Sequence, residues 1–394
     1  MNVLFHLDLD CFFASVETAL HPELGGKPVC VGGLRGQRGI VACPNYEARA
    51  YGVRTAMPLR TAEKLLPREA VFLRGNHRLY GEYSRRVMTV LESFTPDVWP
   101  KSIDEALLDV GKCLHLWRHD PETMASAIKN RVRAETGLTI SVGIAPNPLC
   151  AKIAAGIRKP DGLVLVRHDM IRDFLTPLPV DVVPGIGPKT IPRLNMHGIR
   201  TIGDLLNRKQ HMPESYLSGL LQSLLSEEPY DGGGHHHDEE EQSISRDRTF
   251  SRDTQDDGQI AATLFALVER CCKTLRAGGR AASTVTVKVR FANFITVQKQ
   301  LTLPCAAANE EDIFPAARRL LKELLPAWRF VRLVGVKVSN LVPLEGQQLM
   351  LDTVRTERLE TLHRRIDALQ ERYGYRSVRW GIAAGEEREP QREE

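Results

Sequence analysis

Four acidic residues set into two apolar, strand-like stretches limit the fold of this chain more than any other feature. The first stretch is FHLDLDCFFASVE, from Phe5 to Glu17, and the second is KSIDEALLDV, from Lys101 to Val110. Asp8 and Asp10 lie in one, Asp104 and Glu105 in the other. A carboxylate in an apolar strand is costly unless its charge is compensated. A hard divalent cation is the simplest compensation, and Mg²⁺ accepts carboxylate, carbonyl and phosphate oxygens. Three carboxylates converging from two strands can hold two ions about 4 Å apart, the arrangement that clamps attacking and leaving oxygens in phosphoryl transfer. Side chains alternate along a strand, so Asp8 and Asp10 share a face and both are ligand candidates on periodicity alone.

Around these stretches the chain reads as a succession of strands and helices. Residues 3–10 form a buried strand, and CFFASVETAL has helical spacing with Phe12, Val16 and Leu20 on one face. KPVCVGG is a short β run from Lys27, followed by a strand at Gly39 to Ala42 and a helix starting near Asn45. Then come the helix HRLYGEYSRRVMTVLESF, the strand SIDEALLDV, the helix PETMASAIKNRVRAETG, the strand LTISVGIA, the helix NPLCAKIAAGIRKP and the strand GLVLV. This order predicts an α+β, ferredoxin-like layer with helices on one face of the sheet and open carboxylates on the other.

Short helices follow from Arg167 to Asp231, and within them lies VPGIGPKT, Val183 to Thr190. Gly185 and Gly187 would let backbone amides approach a phosphate, with Lys189 beside them; the alternative is an ordinary tight turn. DGGGHHHDEEEQ, from Asp231 to Gln242, is too polar to bury a core and reads as a linker, His235 to His237 included. Between Ile244 and Pro343 there are 16 Lys and Arg against 9 Asp and Glu, whereas the whole chain carries only +4. One basic module on a near-neutral body suggests a local surface for a polyanion. In STVTVKVRF the alternation puts apolar side chains on one face and Lys288 and Arg290 on the other. The eight cysteines form no Cys-x-x-Cys pair, which argues against a zinc ribbon and for a reducing compartment. With no basic leader and no apolar stretch long enough for a bilayer, a cytoplasmic protein without membrane attachment is expected.

The pair DLDCFFASVE and SIDEA resembles the Y-family DNA polymerases, and among them the DNA polymerase IV (DinB-like) branch; the likeness extends along most of the chain. It implies a right-hand architecture: a palm from 1–10 and 74–166, small fingers from 11–73, a helix-hairpin-helix thumb from 167–231, a linker over 232–243 and a βαββαβ little finger from 244–343. The resemblance makes Asp8, Asp104 and Glu105 the metal-binding carboxylates for two Mg²⁺ ions, with the Leu9 carbonyl as a further ligand and Glu105 nearest the primer 3′-hydroxyl. It makes Asp10 structural, and Ser102 is expected to orient the acidic pair. Phe13 matches the steric gate against ribonucleotides, next to Phe12 as a core residue, and Tyr46, Arg49 and Lys159 match the contacts to the triphosphate of a deoxynucleotide. Gly185, Gly187, Lys189, Lys288 and Arg290 would touch DNA. In the tail, from 344 to 394, Gln348, Leu349 and Leu351 resemble the short peptide that docks on a sliding clamp, with Asp352 where Phe is usual; a plain loop is the alternative.

The implied activity is primer extension on a DNA template without proofreading, tolerant of damaged templates, by a monomer bound to primer-template DNA and deoxynucleoside triphosphates. A non-catalytic DNA-binding homologue would lack the carboxylates, and a palm-type nucleotide cyclase would have no use for the helix-hairpin-helix and basic module.

Overall fold

The structure, a computed structural model, describes residues 3–207, 219, 223–225, 241–325, 330–344, 353–375, 377–378 and 380–381, without the side chains of 353–360. It divides into two compact units, Met1–His235 and His236–Glu394. The expected clamp peptide and most of the expected linker, with His235 to His237, lie outside the described residues.

In the first unit a five-stranded sheet has the order β5-β6-β1-β7-β8, formed by Val98–Pro100, Glu105–Asp109, Leu4–Leu9, Ile140–Ala145 and Leu163–Leu165 respectively. The central strand β1 runs antiparallel to both β6 and β7. Its odd residues Phe5, Leu7 and Leu9 point into a core shared with Tyr80, Val87 and Val90 of α4 (His77–Glu92) and Met124, Ile128 and Val132 of α5 (Pro121–Thr136). Both helices are amphipathic, and each buried large apolar side chain contributes about 1.5–3 kcal/mol. α1 (Phe12–Leu20) adds Phe12, Ala14 and Val16 to the same core.

The opposite face, which carries His6 and Asp8, is not left open as expected. α6 (Pro148–Ile157) lies across it, over β7 and β1. Gly143 of β7 makes this possible: a Cβ there would sit 2.0 Å from the Ala151 carbonyl oxygen and 2.3 Å from the Ala155 nitrogen. Helices therefore cover both faces, and only the ends of the strands that carry the acids stay accessible.

Between β1 and α4 a small subdomain forms around a three-stranded sheet, β3-β2-β4, made by Cys43–Pro44, Val29–Val31 and Val71–Leu73. The strand expected at Gly39 to Ala42 sits instead at Cys43–Pro44, because Val41 and Ile40 face the turn at Met57 and Pro58 rather than β2. α2 (Tyr46–Ala50) and α3 (Leu59–Leu65) close this core over Val41, Ala48, Leu59 and Phe72. After β8, the short helices α7 (Ile171–Leu175), α8 (Ile191–Met196) and α9 (Ile202–Asn207) share a third core with α6.

The second unit has the order β9 (Ser243–Thr254), α10 (Asp257–Ala277), β10 (Arg280–Phe291), β11 (Thr296–Ala307), α11 (Glu310–Leu324), β12 (Val331–Pro343) and α12 (Thr353–Tyr373). Its sheet, β11-β10-β12-β9, is antiparallel throughout, and β9 is 12 residues long. Val285, Val287 and Val289 face the two helices. α12 docks on the same unit through a buried polar cluster. The Arg276 guanidinium bonds Asp367 at 2.8 and 3.0 Å and Glu310 at 3.0–3.3 Å. His363, 1% exposed, lies 3.2 Å from Glu310 and 2.9 Å from Glu311.

Candidate active site

β1 and β6 run antiparallel in a register that places Asp8 opposite Glu105. Asp104, one residue before β6, is fixed by its own backbone, since the Leu9 amide donates to its carbonyl at 2.9 Å. Ser102 organises the acidic pair. Its hydroxyl oxygen accepts from the Asp104 amide at 3.2 Å and the Glu105 amide at 3.0 Å, and it donates to the Asp104 carboxylate at 2.5 Å. Three carboxylates thus reach one end of two neighbouring strands.

Two ammonium groups meet them there. Lys159 pairs with Asp8, and Lys152 of α6 donates to Glu105 at 2.5 Å. Lys152 was not among the sequence candidates; its seven-residue spacing from Lys159, about two helical turns, was the available signal. Burial raises the Asp8 pKa, Lys159 opposes the shift, and Glu105 and Asp104 add to it. His6, 3% exposed, brings Nε2 to 3.7 Å from Glu105 without a hydrogen-bond partner. Burial, with Lys152, Lys159 and Lys101 nearby, pushes its pKa down to about 3, so it stands as neutral imidazole.

A hard cation fits this cluster. The donors are all oxygens, two of the carboxylates already pair with ammonium groups, and burial, with Glu105 and Asp104 adding to it, makes the Asp8 charge costly without a cation beside it. The carboxylates are not yet gathered on one point, however. Among the described residues the trio with ligand atoms within 4.8 Å of one another is Glu310, Glu311 and His363, where the histidine nitrogens are already paired with carboxylates.

Asp10 behaves differently from Asp8. It is 1% exposed and accepts three hydrogen bonds, from Ser141 Oγ at 2.8 Å, Thr139 Oγ1 at 3.0 Å and the Asp161 amide at 2.8 Å. A buried carboxylate so fully bonded is a structural tie, as expected, and not an open ligand.

Asn45 sets the start of α2. Its Oδ1 accepts from the Ala48 and Val29 amides and its Nδ2 donates to the Lys27 carbonyl, which fastens the helix to β2. Tyr46 and Arg49 come together on that helix, with the guanidinium carbon 5.0 Å from the ring centre. The Tyr46 hydroxyl is buried with no hydrogen-bond partner, and burial, with Asp10 next, raises its pKa. Phe13 stacks on Tyr80 at 4.3 Å and 13° and meets His77 edge-on at 5.6 Å. Tyr80 is held in turn by Glu17, to which its hydroxyl donates at 2.5 Å. Phe12 is 2% exposed in the core.

The loop Val183 to Thr190 joins a short 3₁₀ turn, Val180–Val182, to α8. Gly185 has φ 95°, Ile186 is buried, and a Cβ on Gly185 or Gly187 would meet nothing within 4 Å, so the loop presents backbone outward beside exposed Lys189. In the second unit Lys288 lies over Gly335 of β12 and pairs with Asp247 of β9. Arg290 donates to Thr296 at 2.8 Å. Alternation placed these cations on one face correctly, but gave no sign of the counter-charge two strands away.

Residues 7–156 match the impB/mucB/samB family, 168–199 the IMS family HHH motif and 241–351 the impB/mucB/samB family C-terminal domain. A DNA polymerase IV of Dehalococcoides mccartyi (strain CBDB1) is 40% identical over 387 residues, covering 96% of each chain. The chain belongs to the Y-family of DNA polymerases, in the DNA polymerase IV branch. A DNA polymerase IV of Desulfatibacillum aliphaticivorans is 36% identical over 381 residues, 96% of each chain. Among solved structures, the Y-family DNA polymerase chimera Dbh-Dpo4(243-245)-Dbh is similar with TM-score 0.73 at 28% identity, over 86% of this chain and 99% of that one. The insertion ternary complex of Dbh DNA polymerase is similar with TM-score 0.54 at 28% identity, with the same coverage. Y-family DNA polymerases are metal-dependent nucleotidyltransferases, and the carboxylate cluster is where this chain has the donors for such chemistry.

Proposed function

We infer that this chain is a template-directed DNA polymerase that adds deoxynucleotides to a primer 3′ end and tolerates damaged templates. The observation that carries the reading is the register of Asp8 against Glu105, with Asp104 fixed beside them by Ser102 and the Leu9 amide. Asp8, Asp104 and the Leu9 carbonyl would hold two Mg²⁺ ions, and Glu105 would reach the one nearer the primer hydroxyl. When bound, that pair lowers the hydroxyl pKa and neutralises charge on the triphosphate. Lys159, now on Asp8, and Arg49 are the cations for the phosphate oxygens, and the unpartnered Tyr46 hydroxyl is the donor that a phosphate would satisfy. Lys152 holds Glu105 in place until the substrate arrives. Phe13, braced by Tyr80, would lie under the sugar and leave no space for a 2′-hydroxyl.

The segments take their roles accordingly: palm 1–10 and 74–166, fingers 11–73, thumb 167–231, linker 232–243, little finger 244–343 and tail 344–394. The thumb loop at Gly185, Gly187 and Lys189 and the strand face with Lys288 and Arg290 bind the DNA backbone. A subdomain built on three short strands closes loosely over a base pair, which suits translesion synthesis. We further propose a monomeric, cytoplasmic enzyme; among the described residues no helix is long and apolar enough to cross a membrane. The test is primer extension with Mg²⁺ on undamaged and damaged templates. Asp104→Ala should abolish extension while unfolding temperature and DNA affinity stay near those of the parent; near-normal extension would remove the assignment.

A further inference from the structure

Lys159 follows the last turn of α6, in the tight connection to β8, and such a connection has to be held if its ammonium is to meet a phosphate in one place. The ties on this connection are unusually dense. The Asp161 amide donates to Asp10 Oδ2 at 2.8 Å, and the Gly162 amide donates to Ser141 Oγ at 3.2 Å, whose hydroxyl donates onward to Asp10 Oδ1 at 2.8 Å. From the outer side, Lys129 of α5 donates to the carbonyls of Asp161 at 2.5 Å and Gly162 at 2.9 Å, and Lys129 and Arg133 both pair with the Asp161 carboxylate. Asp161 itself has φ 55°, a left-handed conformation that a non-glycine residue keeps only when its surroundings hold it. Gly162 is pressed against Arg158, whose carbonyl oxygen would lie 2.4 Å from a Cβ.

The innermost of these ties comes from β1. Asp8 and Asp10 are two residues apart on one strand: Asp8 takes the Lys159 ammonium, and Asp10 takes the backbone two residues beyond Lys159. One short segment therefore holds both the tip of the Lys159 side chain and the backbone two residues after it. Asp10 is buried, reaches the site only through Asp161, and has no open oxygen for a ligand of its own.

We propose that Asp10 is a positioning residue for nucleotide binding: through the Asp161 amide it fixes the backbone from which Lys159 reaches the triphosphate. Lys129 and Arg133 hold the same connection from α5. The inference rests on the reading of Lys159 as a triphosphate contact, and it adds that the contact depends on a carboxylate which touches neither nucleotide nor metal.

The experiment is a double-mutant cycle on the full chain, read as KM and kcat for single-nucleotide insertion. Lys159→Ala should raise KM for the incoming deoxynucleotide about ten-fold, the loss of one charge-assisted bond. Asp10→Ala should raise KM to a similar extent with a smaller effect on kcat, and add no further rise in the Lys159→Ala background. Asp10→Asn, which keeps a carbonyl oxygen for the Asp161 amide, should restore most of the KM. Should Asp10→Ala fail to fold, Arg133→Ala loosens the connection from the surface, and it should raise KM about three-fold with Lys159 present and leave it unchanged with Lys159 absent. A KM rise of equal size in both backgrounds overturns the inference while leaving the triphosphate role of Lys159 intact. An unchanged KM in Lys159→Ala itself overturns that role and the inference with it.

Discussion

Phe12 and Phe13 are neighbours with opposite surroundings, and replacing each by alanine separates packing from selectivity. Phe12 is 2% exposed among Val16, Leu7 and the other residues of the first core. Removing such a ring leaves a cavity, so Phe12→Ala should cost about 3–5 kcal/mol, a large share of the ~5–15 kcal/mol of a typical domain. Phe13 is only partly buried and, besides the tilted ring of its chain neighbour Phe12 at 5.6 Å, packs on two rings from α4, Tyr80 stacked at 4.3 Å and His77 edge-on at 5.6 Å. At about 0.5–1.5 kcal/mol for each of the two pairs with α4, Phe13→Ala should cost about 1–3 kcal/mol and remain folded. Its effect on sugar choice should be far larger. Forcing an oxygen into a filled contact costs about 1–3 kcal/mol, so relieving that clash raises the ribonucleotide share of insertion about five- to 150-fold. Urea unfolding reads the first quantity, and kcat/KM for matched ribo- and deoxynucleotides reads the second. A ratio that is unchanged in Phe13→Ala, or that rises in Phe12→Ala, would refute the placement of the gate.

Other expectations concern the second unit and the tail. Burial opposes charge on His363, but the bond to Glu311 and the charges of Glu310 and Glu311 outweigh it and raise its pKa above 6.5; the stability it contributes is fully present below pH 6.5 and is lost as pH rises through the folded value. Thermal unfolding of the 236–394 unit should therefore fall on the alkaline side of pH 6.5, and His363→Gln should flatten that slope; an equal slope in both proteins would refute it. The same unit should bind duplex DNA with affinity falling about 30-fold or more between ~50 and ~200 mM salt, as three released counterions require, and Asp247→Asn, which frees Lys288, should steepen the fall; a salt-independent affinity would count against a DNA surface. Changing Gln348 and Leu349 to alanine should abolish stimulation by a sliding clamp without altering synthesis in its absence, whereas equal stimulation of both proteins would make the peptide a loop.

The parts of this molecule that were legible in the sequence are those whose cause is local. Alternation in β1 and β6 identified the strands, and carboxylates at their ends marked the candidate site, because a charge in an apolar run has few explanations. Asp10 could not be separated from Asp8 by periodicity; what separates them is Thr139, Ser141 and Asp161, more than a hundred residues away in the chain. Lys152 and the covered sheet face were missed for a related reason, since the side of a sheet on which a helix lies depends on the connection and on a gap such as Gly143. The short strand β5 has no alternation to reveal it, and Val98 and Trp99 gain their strand character from pairing with β6. Docking of α12 escaped notice because its anchors, His363 and Asp367, read as ordinary polar residues of a charged helix until Arg276 and Glu310 are placed beside them.

Gly143 has a consequence beyond allowing α6 to lie close. Lys152 stands on that helix and Lys159 follows it directly, so the thickness of the layer between helix and sheet also sets how far two ammonium groups stand from Asp8 and Glu105. A single hydrogen atom at position 143 is thus the spacer of an electrostatic gap. A methyl group there would lift both cations together, weakening two ion pairs and leaving their charges to whatever anion lies above the strands. The strength of both ion pairs is in that sense adjustable from beneath the helix, at a residue with no charge and no side chain.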